Sequence, residues 1–211
     1  IWQGKKGQKS KKVKKFNLET RAILDSEIVQ KTTAFIKSNA VKREPFYVYT
    51  ALTQIHPPFL PQPGFVGKSN AGAYADIQMQ VDHYVGEILD ALDEANVANE
   101  TIVILTGDNA AGEHSINWGG EGGSNGPWRG GLSTGYEGGI RTPGMIRWPE
   151  HIPANKVSDE ILSDLDWLPT LANLVGEENR VPTDRPIDGI DQSDFLLGKQ
   201  DKSSREYIVT Y

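Results

Sequence analysis

The sequence predicts an α/β protein, on three observations. Phe46-Tyr47-Val48-Tyr49-Thr50-Ala51-Leu52 is an aromatic and β-branched run of the kind that forms a buried strand. Tyr74, Ile77, Val81, Val85, Ile88, Leu89 and Leu92 recur at helical spacing over about five turns. Thr101-Ile102-Val103-Ile104-Leu105-Thr106 then follows as a continuous apolar run, which suits a strand covered on both faces of a parallel sheet. Strand, helix and strand in that order imply a right-handed crossover unit.

The remaining elements flank this unit. Ile28, Val29, Phe35 and Ile36 predict a helix over 26–39, with Ser26 as its cap. Pro45 separates it from the first strand, and Ile55-His56-Pro57-Pro58 ends that strand, because proline supplies no N–H and restricts the residue before it. Residues 59–71 read as a Pro/Gly loop. Thr142 to Pro149 predicts another short strand. Ser163 starts a further helix with Asp166 as capping partner, and Leu165, Leu168, Leu171 and Leu174 form its apolar stripe up to Gly176. The tail, 177–211, is turn-rich and closes on Tyr207-Ile208-Val209-Thr210-Tyr211, a possible strand. The organisation expected is a basic loop or tail over 1–19, a main domain over 20–176 and a turn-rich segment over 177–211.

Composition bounds the function. The chain has 211 residues and no cysteine, which excludes disulfides, thiolate metal sites and a cysteine nucleophile within it. No stretch approaches the length of a membrane span. The formal net charge is −6, yet the first fifteen residues hold seven lysines (Lys5, Lys6, Lys9, Lys11, Lys12, Lys14 and Lys15) and no acidic residue. Such a tip suits either an acidic polymer or plain solvation as a connecting loop. With no aromatic residues interleaved among the lysines to stack on bases, solvation is the favoured reading and no nucleic-acid partner is expected.

Four places carry chemistry. Gly107-Asp108-Asn109 directly follows a predicted buried strand, where α/β sheets bind ligands, and it offers a carboxylate and an amide oxygen to a hard cation such as Ca²⁺ or Mg²⁺. Asp-Asn is equally a common turn pair. His56 also follows a predicted strand, and two prolines fix its backbone; it is either an aimed donor to an anion or leaving group, or a loop histidine packed on proline. From Gly107 to Gly139 twelve of 33 residues are glycine, yet large aromatics accompany them, so the segment reads as an ordered functional loop. In it Arg129 can clamp an oxyanion or pair with Glu121 or Glu137. Arg141 is read as structural, paired with Glu137. His114 could reach the same metal or anion, or stand in solvent. There is no G-x-S-x-G elbow, no H-E-x-x-H and no phosphate-binding glycine loop.

Taken together, these segments resemble the formylglycine-dependent (type I) sulfatases of the alkaline phosphatase superfamily. The matching stretches are collinear. They are 46–58, ending in His-Pro-Pro; Val81 to Leu92, with its D-x-x-V-G-x-I-L-x-x-L pattern; 101–109, with the metal turn; Asn125 to Gly130 with Tyr136 to Pro143; Asp166 to Leu174; and Asp188 to Asp191. The resemblance implies an alkaline-phosphatase-like sandwich with a mostly parallel central sheet, represented here by its C-terminal part. It implies hydrolysis of a sulfate-ester substrate with Ca²⁺ (or Mg²⁺) and a formylglycine nucleophile. It makes Asp108 and Asn109 metal ligands and His56 a catalytic contact to the sulfate or leaving oxygen, and periplasmic or extracellular location follows as the family habit. An early Asp-Asp pair, the C/S-x-P-x-R motif and the following Lys-x-His segment are absent, as they would belong to an N-terminal half. That half is the expected partner, and the isolated chain is expected to be inactive. Leu132 stands where many members carry a sulfate-contacting lysine, which leaves Arg129 or His114 as substitutes for binding substrate. The alternatives are a phosphodiesterase or phosphonate hydrolase of the same superfamily, or a degenerate, non-catalytic binder of sulfated glycans.

Overall fold

The structure is a computed structural model that describes residues 1–112 and 122–210. The chain divides into two compact units, Ile1–Thr101 with Gly107–Thr142, and Ile102–Thr106 with the chain from Pro143 onward.

The first unit begins with a hairpin. Strands β1 (Trp2–Gln3) and β2 (Lys11–Lys12) pair antiparallel, with Trp2 opposite Lys12 and Gln3 opposite Lys11. Helix α1 (Leu18–Lys42) follows, and it starts earlier than the apolar residues predict. Its cap is Asn17, whose carboxamide accepts from Thr20 N while Thr20 Oγ1 accepts from Asn17 N, both at 2.9 Å. Ser26 is instead an interior residue, and its hydroxyl bonds back to Ile23 O. The cause is the composition of the buried stripe: Arg21, Asp25, Val29, Thr32, Ile36 and Asn39 recur at helical spacing, and the first two are charged. Helix α2 (Ala73–Glu94) matches its predicted span closely and packs on α1. Val29 and Ile36 of α1, with Ile77, Tyr84, Ala91 and Leu92 of α2, form the core of this unit. Loop 59–71 is tied to α2 by two buried side chains. Gln80 accepts from Gln62 N, and Asp76 accepts from Gly67 N, Ser69 N and Ser69 Oγ. The Ser69 hydroxyl, then the two amides, hold the Asp76 carboxyl below the usual carboxylate range.

The run 46–52 is not a strand, and Tyr47 and Tyr49 are exposed. An apolar β-branched run becomes a strand only beside a partner that takes up its amides and carbonyls. Here α1 takes part of that role through side chains: Thr32 Oγ1 lies 3.2 Å from Thr50 Oγ1, and Asp25 and Arg21 bond the main chain at 53–56.

In the second unit β3 (Val103–Thr106) and β4 (Gly144–Arg147) form a two-stranded ladder. It is antiparallel, with Val103 opposite Arg147 and Thr106 opposite Gly144. The described residues therefore show an α/β chain whose two ladders are both antiparallel, not the expected parallel sheet. Between β3 and β4 in the chain, in the first unit, lies one helical turn, α3 (Glu137–Ile140). A 3₁₀ turn over Asp164–Asp166 leads into α4 (Trp167–Leu174), and the Ser163–Asp166 capping box forms as the sequence predicts. The leucine stripe does not behave as predicted. Leu165 and Leu168 are exposed, whereas Asp166 and Thr170 are wholly buried. Asp166 takes the buried place because Arg205 grips it with three contacts of 2.6 to 3.1 Å, and Ile190 N and Ser163 N add two more. Helix α5 (Ser193–Leu196) is the last regular element, and 207–210 form no strand.

Candidate functional site

The Gly107-Asp108-Asn109 turn follows β3 directly in the chain, and Asp108 and Asn109 are exposed. Asp108 Oδ1 accepts from Asn109 N at 3.0 Å, so the carboxylate is held by the turn itself. The next two residues are anchored to the glycine-rich loop. Ala110 N donates to Gly139 O, and Leu132 N donates to Ala111 O at 3.1 Å. Asn125 completes the anchor: its carboxamide oxygen accepts from Ala111 N at 3.0 Å and its Nδ2 donates to Ala111 O at 2.8 Å. One side chain thus mimics a strand partner for one residue.

The loop that carries Arg129 is packed against itself. The Arg129 guanidinium lies 4.0 Å from the centre of the Tyr136 ring and is exposed on its other side. Arg141 stacks on Trp128 and pairs with Glu137, the structural role its spacing predicts. Gly138 is required here, since a methyl group on it would stand 2.3 Å from Gly130 O and 2.7 Å from Arg129 O. His114 and Glu121 lie outside the described residues.

His56 is exposed, and its Nδ1 lies 2.7 Å from Pro57 O. Its backbone is fixed from α1. Arg21 Nη2 donates to His56 O and Thr53 O, each at 2.8 Å. Asp25, 2% exposed, accepts from Thr53 N at 2.8 Å, Thr53 Oγ1 at 2.7 Å and Gln54 N at 3.0 Å. Two charged residues one turn apart therefore hold the segment that ends in the histidine.

Tyr74, in the first turn of α2, stands between the two regions. Its ring meets Phe59, just past the prolines, edge to face at 5.3 Å. On the other side a methyl group at Gly123 would fall 2.5 Å from both the Tyr74 hydroxyl and Ala111 Cβ, so Tyr74 and the anchored Ala111 flank the same glycine. Burial pushes its phenol above the usual value. The sequence alone places Tyr74 only in a core stripe and Asn125 only in a matching stretch, and it passes over Arg21 and Asp25. Polar residues at helical spacing within an otherwise plausible helix were the available signal for the last two.

The oxygen donors of Asp108 and Asn109 fit a hard divalent cation, which takes six or more oxygens as Ca²⁺. Two donors are too few on their own, and among the described residues no three His, Cys, Asp or Glu side chains group as a metal site. Nor does any helix among them have the length and apolarity to cross a membrane.

Rat (Rattus norvegicus) steryl-sulfatase is 38% identical over 190 residues, 89% of this chain and 32% of that protein. Dog (Canis lupus familiaris) N-acetylgalactosamine-6-sulfatase is 37% identical over 185 residues, 87% of this chain and 35% of that protein. The crystal structure of the PsFucS1 sulfatase from Pseudoalteromonas sp. superposes with a TM-score of 0.89 at 32% identity, covering 97% of this chain and 40% of that one. The chain spans about a third of the length of these curated relatives. The family model described as Sulfatase matches residues 2–177, and the chain belongs to the sulfatase family.

Proposed function

We propose that this chain is the C-terminal part of a sulfatase that hydrolyses sulfate esters with a bound Ca²⁺ (or Mg²⁺). The observation that carries the reading is the sulfatase match over residues 2–177, which spans the anchored Asp108–Asn109 turn and the His56 turn alike. Asp108 and Asn109 supply two of the metal's oxygen ligands. When bound, the cation neutralises charge on the sulfate oxygens. His56, aimed by Arg21 and Asp25, donates a proton or hydrogen bond to the sulfate or the leaving oxygen. Arg129, held over Tyr136, supplies a second cationic donor in place of the lysine that Leu132 replaces. The chain holds no cysteine and no S-x-P-x-R sequence, so the formylglycine nucleophile belongs to an N-terminal half.

The test is sulfate release from an aryl sulfate by the protein as its gene encodes it. His56→Ala should lower kcat by about 10² to 10⁴, chelation of divalent metal should abolish turnover, and the isolated 211-residue chain should release none. Turnover by the isolated chain, or undiminished turnover in His56→Ala, defeats the assignment.

A further inference from the structure

We propose that the lysine-rich hairpin is a docking arm for a polymeric sulfated polysaccharide, separate from the residues that contact the ester. The inference rests on the sulfatase reading for the choice of ligand and on the hairpin's own geometry for the binding.

Residues 2–19 are all exposed, and seven lysines with no acidic residue lie within the first fifteen. Of these, only Lys14 has an ion-pair partner among the described residues, Glu27. Ammonium groups without partners are hydrated in this chain, which leaves their charge available to a polyanion. The segment is also shaped. Gly7, at φ 77°, turns the chain, and Gln8 N closes the turn on Lys5 O at 3.0 Å. Val13 N and Ile1 O extend the pairing at 3.0 Å.

The ladder brings in what the sequence keeps apart. Trp2 is 67% exposed and lies opposite Lys12, and directly opposed residues of an antiparallel pair project to one face. An open indole beside an ammonium offers a stacking platform for a sugar ring with a cation for its sulfate. Lys5, Lys6 and Lys9 sit in the connecting loop and extend the positive charge beyond that face. A small aryl or steryl ester has one sulfate and cannot engage cations spread over fifteen residues; a chain of sulfated sugars can. Beyond the first fifteen residues the chain is acidic, with 28 acidic residues against 15 basic ones (22 less the seven lysines), so the hairpin is a place where a polyanion is attracted.

The experiment uses the protein as its gene encodes it, with heparin as the probe polymer, dextran as neutral control and duplex DNA as competing polyanion. Binding is read by titration calorimetry at two salt concentrations, and turnover of a small aryl sulfate is followed alongside. Heparin should bind and dextran should not. With four lysines engaged, affinity should fall with salt at a log–log slope of about −3. Replacing Lys5, Lys6, Lys9 and Lys12 by Gln should weaken heparin binding at least about tenfold with an unaltered melting temperature. Trp2→Ala should weaken it severalfold more than it weakens DNA. The proposal is overturned if heparin does not bind, if the lysine variant binds it equally well, or if DNA binds as tightly and Trp2→Ala affects neither. Failure of the sulfatase reading looks different: heparin binding survives while the aryl sulfate is not turned over.

Discussion

Asp25→Ala is the sharpest probe of how the histidine turn is held. The wild-type carboxylate accepts three hydrogen bonds, from Thr53 N, Thr53 Oγ1 and Gln54 N, at 2.7 to 3.0 Å, and it is 2% exposed. A hydrogen bond to a charged acceptor contributes about 1.5–3 kcal/mol net. Summing three overstates the loss, because bonds to one group are not additive and water enters the space left. The expected cost is about 3–4 kcal/mol, dominated by two main-chain amides left without a partner. Asp25→Asn keeps one acceptor oxygen and should cost about half as much. The assay is amide hydrogen exchange at Thr53 and Gln54, where a loss of about 3 kcal/mol reads as roughly 100-fold faster exchange if opening is local. Turnover is measured in parallel, since a displacement of about 1 Å at a reacting group costs about 100-fold in rate. Exchange at Thr53 and Gln54 unchanged in Asp25→Ala would refute the clamp. So would unchanged turnover with fast exchange, which would leave Asp25 a part of the fold alone.

Four further outcomes follow from the geometry. Arg205→Met strands the wholly buried Asp166 carboxylate and should cost about 3–5 kcal/mol in chemical denaturation. Acid should act through the same group. Burial works to raise the Asp166 carboxyl, but the bonds from Arg205, Ile190 N and Ser163 N prevail and hold it below the usual range. Its folded value lies under its unfolded value of about 3.9, so its contribution is complete above about pH 4 and is lost as pH falls through the folded value. Wild-type denaturation midpoints should therefore hold from pH 7 to about 4 and drop below that. Gly138→Ala drives a methyl group to 2.3 Å from Gly130 O, which the main chain can relieve only by moving. The loss should be about 1–3 kcal/mol, with a changed Trp128 fluorescence as Arg141 leaves its ring. Finally, Ca²⁺ at about 100 times its Kd should stabilise the protein as its gene encodes it by about 2.7 kcal/mol, seen as a raised melting temperature, and Asp108→Ala should remove that increment.

What was legible in the sequence divides along a physical line. Helix α2 could be read because apolar residues recur at helical spacing along it, with Ile77, Tyr84 and Leu92 in the core beside the buried Asp76 and Gln80. Helix α1 could be read only over 26–39, because Arg21 and Asp25 occupy its buried face as gripping groups, and a hydrophobic pattern is blind to them. The run 46–52 has strand chemistry without a ladder, since propensity names a preference and a sheet needs a neighbour. For Val103–Thr106 the strand was legible but its neighbour was not, and the partner proved to be antiparallel β4. In the candidate site, Asp108, Asn109 and His56 could be proposed from the sequence because each stands in a short local pattern. Asn125, Tyr74, Arg21 and Asp25 were not, because each acts on main chain or rings from 14 to 35 residues away.

Both turns that carry the proposed chemistry are fixed in the same way, by side chains bonded to main chain and not by strand ladders. Asn125 holds the residues after Asp108 and Asn109, and Arg21 with Asp25 holds the residues before His56. This arrangement leaves the side chains of Asp108, Asn109 and His56 exposed, with hydrogen bonds among the described residues only to the adjacent main chain at Asp108 and His56, while their backbones are held from behind. On the proposed roles, the gripping residues would act on rate without touching the substrate. Conservative replacement should therefore separate the two classes. Arg21→Lys keeps the charge but loses the rigid planar group whose Nη2 reaches both Thr53 O and His56 O, so it should lower kcat while leaving KM near its original value. Arg129→Lys, at a residue proposed to meet the substrate anion, should raise KM. If Arg21→Lys raised KM alone, the clamp would be a binding element and the division between holding and contacting residues would fail.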